Sequence, residues 1–454
     1  MRATSFFQTG LCLTAFAVFV LIAGGIALPS SAAASQFKVI YSFCQKANCA
    51  DGEAPYAGLV RDMSGNLYGT TDAGGAANSG TVFELTRDAK DSKWTHRVLH
   101  SFCKKPSCKD TFASLAPLVI DVAGNLYGMT IAGQNSDSPG IIFKLSPNAD
   151  RSNWKLTILH HFCTKTGCTD GLVGYTGLSY AGAATGAPYD GTSPLYSVST
   201  LGGVNYGGLV YELKPEPDKG KWSYKVIHSF CTNGNCSDGD GPYGSLIVDA
   251  AGNLYGTTWA GGGSGGGTVF KLAPNAHKTK WTESVLYSFC ALENCTDGEL
   301  PYSTVLMDAS GSLFGTAAYG GASCGNADGC GVAFKLVKSG GAWRQSVLYQ
   351  FCSKTNCTDG NEPASSTLMD TTGNLFGTTI YGGGNNIDKS GQGGGTVYRL
   401  NTTLSVLHSF CAETNCADGE YPSGDLISDD LGSIFGTTQL GGAHDAGTVY
   451  EITP

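Results

Sequence analysis

The sequence is poor in charged residues, shows no sustained helical periodicity and has no long apolar run beyond its first 34 residues. Only 14% of the residues are charged and 41% are hydrophobic, a composition that excludes a disordered chain. The formal net charge is −9, and loss of a leader containing only Arg2 as a charged residue makes it −10. This balance argues against binding to nucleic acid or to an anionic membrane surface. The missing helical period argues against a helical fold.

The first 34 residues have the pattern of a secretory signal peptide. Arg2 precedes an apolar run over about residues 11–28, and the small residues Ala32 to Ala34 follow it. The run is long for a cleaved signal, so an uncleaved membrane anchor is the alternative. We expect a leader over residues 1–34, one domain over residues 35–454 and a secreted, periplasmic or cell-surface location. No other segment is apolar over the length that a membrane span needs.

The cysteines follow a strict pattern that fits an exported protein. Apart from Cys12 in the leader, fourteen of the 17 form C-x4-C pairs and two more lie together in one loop. Haem attachment needs a His directly after the second Cys, which no pair has, and zinc sites usually use the tighter C-x2-C spacing. The pattern therefore predicts eight local disulfides. They are Cys44–Cys49, Cys103–Cys108, Cys163–Cys168, Cys231–Cys236, Cys290–Cys295, Cys324–Cys330, Cys352–Cys357 and Cys411–Cys416.

The cysteine pairs mark a tandem repeat, since their first members are separated by 59, 60, 68, 59, 62 and 59 residues. Each unit contains four runs of strand chemistry, which we name a (PYxxLxxD), b (NLYGTT), c (GTVFKL) and d (WTxxVLHSF). Run b recurs near Leu67, Leu126, Leu195, Leu254, Leu313, Leu375 and Ile434, and run c near Val82, Ile142, Val210, Val269, Ala333, Val397 and Val449. Seven such units predict an all-β, seven-bladed β-propeller with four-stranded blades. A β-solenoid is the alternative, but its repeats are usually shorter.

The two ends of the repeat region complement each other. The domain begins with FKVIYSFC, a d strand without a preceding c, and the sequence given ends with GTVYEITP, a c strand without a following d. We expect the N-terminal strand to complete the last blade, because closure of the ring leaves few strand edges exposed.

An Asp follows the second Cys of every pair by two positions. One interpretation is a ring of carboxylates on the loop face that attracts a ligand, and the other is an Asx-type turn that accepts backbone N–H groups. Presence in every blade favours the turn. The series is Asp51, Asp110, Asp170, Asp238, Asp297, Asp359 and Asp418. A second series opens the a–b turn and is interpreted as a hairpin device: Asp62, Asp121, Asp249, Asp308, Asp370 and Asp429.

Four tyrosines occupy one repeat position, five residues after the loop Asp, where strand a begins near the central opening. They are Tyr56, Tyr175, Tyr243 and Tyr302. Aromatic rings at a propeller mouth suit stacking on sugar rings, and packing within the rim is the alternative. The d–a and b–c loops emerge on the same face, and this stapled loop face is the better candidate for binding because loops on a rigid scaffold carry specificity.

The motifs SFC-x4-C-x-DG-x2-PY, LxxDxxGNLYGTT and GG…GTVF…W…VLHSF together resemble the GloVer tandem repeat, named from its occurrence in Gloeobacter and Verrucomicrobia. The resemblance covers residues 37–454. It implies an exported, often surface-associated bacterial protein of the choice-of-anchor type, and it supplies no catalytic residues. No C-terminal sorting segment precedes Pro454, so a released or periplasmic protein is expected rather than an anchored one.

These patterns predict a non-catalytic, monomeric binding or surface scaffold that recognises a glycan or a protein through its stapled loop face. No catalytic residue, metal ligand or cofactor is predicted. The alternatives are a propeller hydrolase or lyase with a central metal and a structural component of the cell envelope.

Overall fold

The described part of the chain is built from twenty-eight short strands joined by tight turns and longer loops. The computed structural model describes residues 35–88, 93–103, 116–131, 139–183, 186–216, 218, 220–321, 329–384 and 392–453. Among these residues no helix is long and apolar enough to cross a membrane. The predicted leader lies outside the described residues, as do Cys108, Asp110 and Cys324.

The strands are numbered in chain order. They are β1 (Gln36–Ser42), β2 (Val60–Arg61), β3 (Leu67–Thr71), β4 (Thr81–Arg87), β5 (Trp94–Ser101), β6 (Val119–Ile120), β7 (Leu126–Met129), β8 (Ile141–Pro147), β9 (Trp154–His161), β10 (Leu195–Ser199), β11 (Leu209–Glu216), β12 (Lys221–Ser229), β13 (Asp240–Pro242), β14 (Ile247–Val248), β15 (Leu254–Ala260), β16 (Thr268–Pro274), β17 (Trp281–Ser288), β18 (Leu306–Met307), β19 (Leu313–Ala317), β20 (Val332–Ser339), β21 (Ala342–Gln350), β22 (Leu368–Met369), β23 (Leu375–Thr379), β24 (Thr396–Leu400), β25 (Leu404–Ser409), β26 (Ile427–Ser428), β27 (Ile434–Thr438) and β28 (Thr448–Thr453). Single 3₁₀ turns occupy Ala47–Cys49, Thr166–Cys168, Val204–Tyr206, Glu293–Cys295, Thr355–Cys357 and Thr414–Cys416.

These strands form seven antiparallel blades in a ring, which confirms the predicted β-propeller. Blades 1, 2, 5 and 6 are four-stranded sheets in chain order a-b-c-d: β2–β5, β6–β9, β18–β21 and β22–β25. Blade 4 is formed by β14–β17, with β13 as an extra strand that pairs with β15.

The last blade is completed by the first strand, as the sequence predicts. Its order is β1-β28-β27-β26, and β1 runs antiparallel to β28 from Gln36 opposite Thr453 to Ser42 opposite Thr448. This pairing satisfies the outer edge of β28 and joins the two ends of the domain.

Blade 3 departs from the prediction because its sheet has three strands, β10–β12. A single bridge between Ser179 and Tyr196 stands where the other blades have strand a. Residues 186–194 belong to an insertion that the other repeats lack, and they pack against blade 2. There Tyr189 is fully buried and its ring meets that of Tyr127 edge-on at 5.4 Å.

Seven apolar clusters hold the ring together, and each joins two neighbouring blades. The cluster that joins blades 7 and 1 includes Phe83 and Phe435. The repeated glycine of NLYGTT makes room for this packing: a Cβ on Gly69 would lie 2.6 Å from Cζ of Phe83. The rigid ring fixes where each inner strand and its loop begin.

Candidate functional site: the stapled loops and the central cavity

The stapled loops are held by disulfides between the predicted cysteines. Six are formed among the described residues: Cys44–Cys49, Cys163–Cys168, Cys231–Cys236, Cys290–Cys295, Cys352–Cys357 and Cys411–Cys416. Cys103 and Cys330 are also disulfide-bonded. The partners that the sequence predicts for them lie outside the described residues. The C-x4-C pairs are therefore structural staples.

Five of the loop aspartates are buried within the stapled loops rather than exposed on the surface of the ring. Asp51 is fully buried, and its carboxylate accepts N–H groups from Gln45 and Lys46, both at 3.0 Å. Burial works to raise the pKa of Asp51, but hydrogen bonds from Tyr41, Lys46 and Gln45 outweigh it and hold the pKa below its usual value. The same burial is shared by Asp170, Asp297, Asp359 and Asp418.

In four blades strand d supplies a further hydrogen-bond partner for the loop Asp. The hydroxyl of Tyr41 donates to Asp51 at 2.6 Å, and the hydroxyls of Tyr287 and Tyr349 donate to their own loop aspartates at 2.7 Å. In blade 6 the imidazole of His408 takes this place, 3.0 Å from Asp418. A bulge in strand d directly precedes this position, which turns the Tyr or His toward the loop.

The structure places the described loop aspartates one per blade, apart from one another. Asp238 differs from the rest because it is partly exposed, accepts the N–H of Cys231 at 3.1 Å and lies 3.9 Å from His228. Asp110 lies outside the described residues. The hydrogen bonds of the buried members are those of the turn interpretation.

The second Asp series forms hairpin turns, as predicted. In each described turn one carboxylate oxygen accepts the N–H groups two and four residues further along; for Asp370 these belong to Thr372 and Asn374, both at 2.9 Å. The same pair of bonds occurs at Asp62, Asp121, Asp249, Asp308 and Asp429.

A cavity of about 410 Å³ lies where the inner strands meet, at the end of the ring that carries the stapled loops. Its wall is made by residues that directly follow the d–a loops, such as Tyr56, and by residues at the ends of the b strands, such as Trp259 and Ile380. This volume is within the range of small-molecule pockets, about 300–1,000 Å³.

The four predicted tyrosines converge in this cavity. The rings of Tyr175 and Tyr243 are stacked at 5.5 Å, and Tyr302 meets Tyr243 at 5.1 Å with a steep angle of 66°. Tyr56, from the blade across the axis, is hydrogen-bonded to Tyr243. Trp259 extends the aromatic wall beside Tyr302, with the two rings within 15° of parallel at 6.5 Å.

A chain of hydrogen bonds runs around the axis beneath the tyrosines. The N–H of Ser245 donates to Thr304 at 2.9 Å, that of Thr304 to Ser366 at 3.1 Å, and that of Ser366 to Asp425 at 2.8 Å. All four residues line the cavity and occupy one repeat position in successive blades. The chain of hydrogen bonds fixes their side chains at the axis.

Two carboxyl groups, Glu362 and Asp425, line the same cavity from blades 6 and 7. Burial raises the pKa of Glu362, although a hydrogen bond from Tyr319 opposes the shift. Burial also raises the pKa of Asp425, against the hydrogen bond from Ser366. Among the described residues that line the cavity there is no Lys, Arg or His, so both acids face it without a neighbouring cation.

Candidate metal ligands gather elsewhere in the described chain. The two groups found are Cys330, Cys352 and Cys357, and Cys411, Cys416 and Glu420. Every cysteine in them is disulfide-bonded and therefore lacks the thiolate that binds a metal.

Sequence reasoning missed Trp259, Glu362 and Asp425. The signal for Asp425 was present in the repeat: the corresponding residues of blades 1 to 6 are Gly58, Pro117, Gly177, Ser245, Thr304 and Ser366. Only the last blade carries a charged residue at this position, and an aligned repeat shows the substitution.

The repeat also identifies relatives. A model of the Gloeobacter/Verrucomicrobia repeat matches residues 23–194, 169–389 and 317–454, which together cover nearly the whole chain. No curated protein matches the chain.

Solved structures resemble this chain at low sequence identity. PorZ of Porphyromonas gingivalis, an essential bacterial surface component of the type-IX secretion system, matches with a TM-score of 0.50 and 12% identity over 88% of this chain and 46% of that chain. Trypanosoma rangeli sialidase matches with a TM-score of 0.40 and 10% identity over 92% of this chain and 59% of that chain. This chain thus spans about half the length of the PorZ chain, and the likeness shows the propeller fold alone.

Proposed function

This chain belongs to the Gloeobacter/Verrucomicrobia repeat family, a tandem-repeat family of bacterial proteins, and on that basis we propose that it is an exported, non-catalytic propeller that binds a glycan in its central cavity. The disulfides support export, because such staples persist in oxidising compartments outside the cytosol. Residues 1–34 fit the same route as a secretory leader.

The observation that carries the proposal is the convergence of four tyrosines and a tryptophan on one cavity. Tyr and Trp combine a large apolar ring with a polar group, so they match the mixed surface of a sugar, whose ring has apolar C–H faces and polar edges. The hydroxyl groups of Ser245, Thr304 and Ser366 lie in the same cavity and offer hydrogen bonds to those edges.

The shape of the site favours a small ring over a protein surface. The cavity is a cup of about 410 Å³ at the axis, and concave sites of this size bury most of a small ligand. A protein partner would instead need a broad interface of about 800 Å² on each side.

Glycan-array binding followed by calorimetry on the purified chain tests this proposal. We expect Tyr175→Ala and Tyr243→Ala to weaken binding of the best glycan at least tenfold, because each removes part of the stacking wall. Tyr206→Ala is the matched control, since Tyr206 is 55% exposed beside β11 and does not line the cavity.

Two results would overturn the proposal. One is that no glycan on the array binds to the wild-type chain. The other is that the control variant loses as much affinity as the cavity variants, which would place binding elsewhere on the loop face.

A further inference from the structure

The cavity has two unlike sides. Tyrosines from blades 1, 3, 4 and 5 form the aromatic side, whereas blades 6 and 7 carry the small residues Ala364 and Ser423 at the tyrosine position. These two blades also supply the acids Glu362 and Asp425. A ligand in this cavity therefore meets ring faces on one side and carboxyl groups on the other.

We propose that the glycan bound here is an amino sugar with a free, positively charged ammonium group, which stands among the tyrosine faces and faces Glu362 and Asp425. This assignment rests on the proposed function, because it names the class of sugar that the same cavity selects.

The carboxylate of Asp425 has no cationic partner among the described residues. One of its oxygens accepts the N–H of Ser366 at 2.8 Å. A carboxylate partly removed from water without a cation is unfavourable, and burial raises the pKa of Asp425 in spite of its hydrogen bonds from Ser366. A ligand that brings an ammonium group supplies the missing counter-charge.

Glu362 adds a second carboxyl group on the same side. Glu362 accepts a hydrogen bond from Tyr319. The pKa of Tyr302 is raised mainly by burial and, in addition, by the negative charge of the nearby Glu362. A neutral sugar would cover both acids without pairing either of them. The cavity therefore penalises neutral ligands while it favours cationic ones.

The aromatic side strengthens the same preference. A cation over the face of a Tyr or Trp is attracted by the ring electrons, typically by about 0.5–2 kcal/mol depending on how far it is desolvated. Around the mouth, Asp72 and Glu299 add negative charge that raises the pKa values of Tyr56 and Tyr302, again after burial as the larger cause. The net charge of −9 on the chain also favours the approach of cations to the protein.

The test compares three disaccharides that share the same linkage: one of glucosamine, one of N-acetylglucosamine and one of glucose. Affinities are measured by calorimetry at about pH 6, below the pKa of an ordinary amine. We expect the glucosamine disaccharide to bind at least tenfold more tightly than either neutral sugar. We also expect its affinity to fall with rising salt while that of the neutral sugars stays constant.

Two variants connect the preference to the acids. Asp425→Asn keeps an oxygen acceptor for the N–H of Ser366, and together with Glu362→Gln it should reduce the ratio of glucosamine affinity to neutral-sugar affinity at least tenfold. Asp430→Asn is the matched control, because this acid lies in the a–b turn of blade 7, is 90% exposed and pairs with Arg61 at 3.3 Å outside the cavity.

The outcomes separate the two proposals. Equal binding of all three sugars by the wild-type chain would overturn the amino-sugar assignment and leave glycan binding in place. Binding of none of the sugars, here or on the array, would overturn both. A preference for the amine that survives in the doubly substituted chain would overturn the role of the acids. A preference without salt dependence in the wild type would also overturn it, and that result does not depend on whether a variant folds.

Discussion

Two aspartates in neighbouring blades show how differently the chain uses one residue type. Asp359, in the stapled loop that begins blade 6, is fully buried and accepts hydrogen bonds from the N–H and hydroxyl of Ser353 and from Tyr349. Asp425, in the cavity, accepts the N–H of Ser366, and its pKa is raised by burial. The fold satisfies the first carboxylate, and we propose that the second is available to a ligand.

The repeat pattern of the sequence already distinguishes the two aspartates. Asp359 has a counterpart in every repeat, whereas Asp425 stands alone at its position. A residue that occurs in all seven units is expected to have a structural role in the blade and its loop. A polar residue found once, at the axis where all units meet, is a candidate for ligand binding.

Removal of the loop carboxylate should have the largest effect on stability. We expect Asp359→Ala to lower the free energy of unfolding by about 3 kcal/mol, because buried N–H and hydroxyl donors lose a charged acceptor. Urea denaturation measures the change, and glycan affinity should stay as in the wild type. Asp430→Ala, at an exposed pair, should change stability by less than about 1 kcal/mol. Equal losses in the two variants would contradict a structural role for the loop Asp.

Removal of one staple should have the next largest effect. The bond Cys411–Cys416 closes a very short loop, for which loop-closure entropy predicts a loss of about 2 kcal/mol on replacement of both cysteines by Ser. The measurement is the unfolding free energy of the double variant against wild type under oxidising conditions. If the loop Asp is sufficient to hold the turn, the loss of unfolding free energy will be smaller than this. A loss well above that of Asp359→Ala would show that the disulfide contributes more to stability than the loop Asp.

The repeated scaffold was predictable from the sequence because its residues recur with their chemistry intact. The strand runs around Leu67 and Val82 and the lone strand that begins at Gln36 define the blades and their closure. The three-stranded sheet of blade 3 was not predictable, because its bridge at Ser179 follows no strand pattern and Tyr189 belongs to an insertion with no counterpart in the other repeats.

The cavity was predictable only in part. The tyrosines share a repeat position at the start of strand a, so the fold itself brings Tyr56 and Tyr243 to the axis. Trp259 and Glu362 reach the same cavity from an extended b strand and from the residue before a proline, positions with no consistent chemistry among the repeats. A repeat pattern identifies residues that recur in every unit. Glu362 and Asp425 do not recur, and only the folded ring shows that they line one cavity.

Loss of an aromatic ring from the cavity should affect stability less than either change in a stapled loop. Tyr302 is partly exposed and contacts the rings of Tyr243 and Trp259, so we expect Tyr302→Ala to lower the free energy of unfolding by about 1 kcal/mol. Ligand affinity should fall at least tenfold in the same variant. A variant with normal affinity and a large loss of stability would assign this ring to rim packing, which is the alternative that the sequence leaves open.

The smallest effect should also have the opposite sign. Because burial raises the pKa of Asp425 in the folded chain above the unfolded value of about 3.9, its ionised form destabilises the fold at neutral pH. That penalty is fully present above the folded pKa and disappears as the pH falls through it, since the folded chain then takes up the proton more readily. Asp425→Asn keeps the bond to Ser366 without the charge, so its free energy of unfolding should equal or exceed that of the wild type by up to about 1 kcal/mol at pH 7. The difference in the free energy of unfolding between the variant and the wild type, measured as a function of pH, should vanish below about pH 4. A variant less stable than the wild type at neutral pH would show that this carboxylate, like those of the stapled loops, is satisfied by the fold itself.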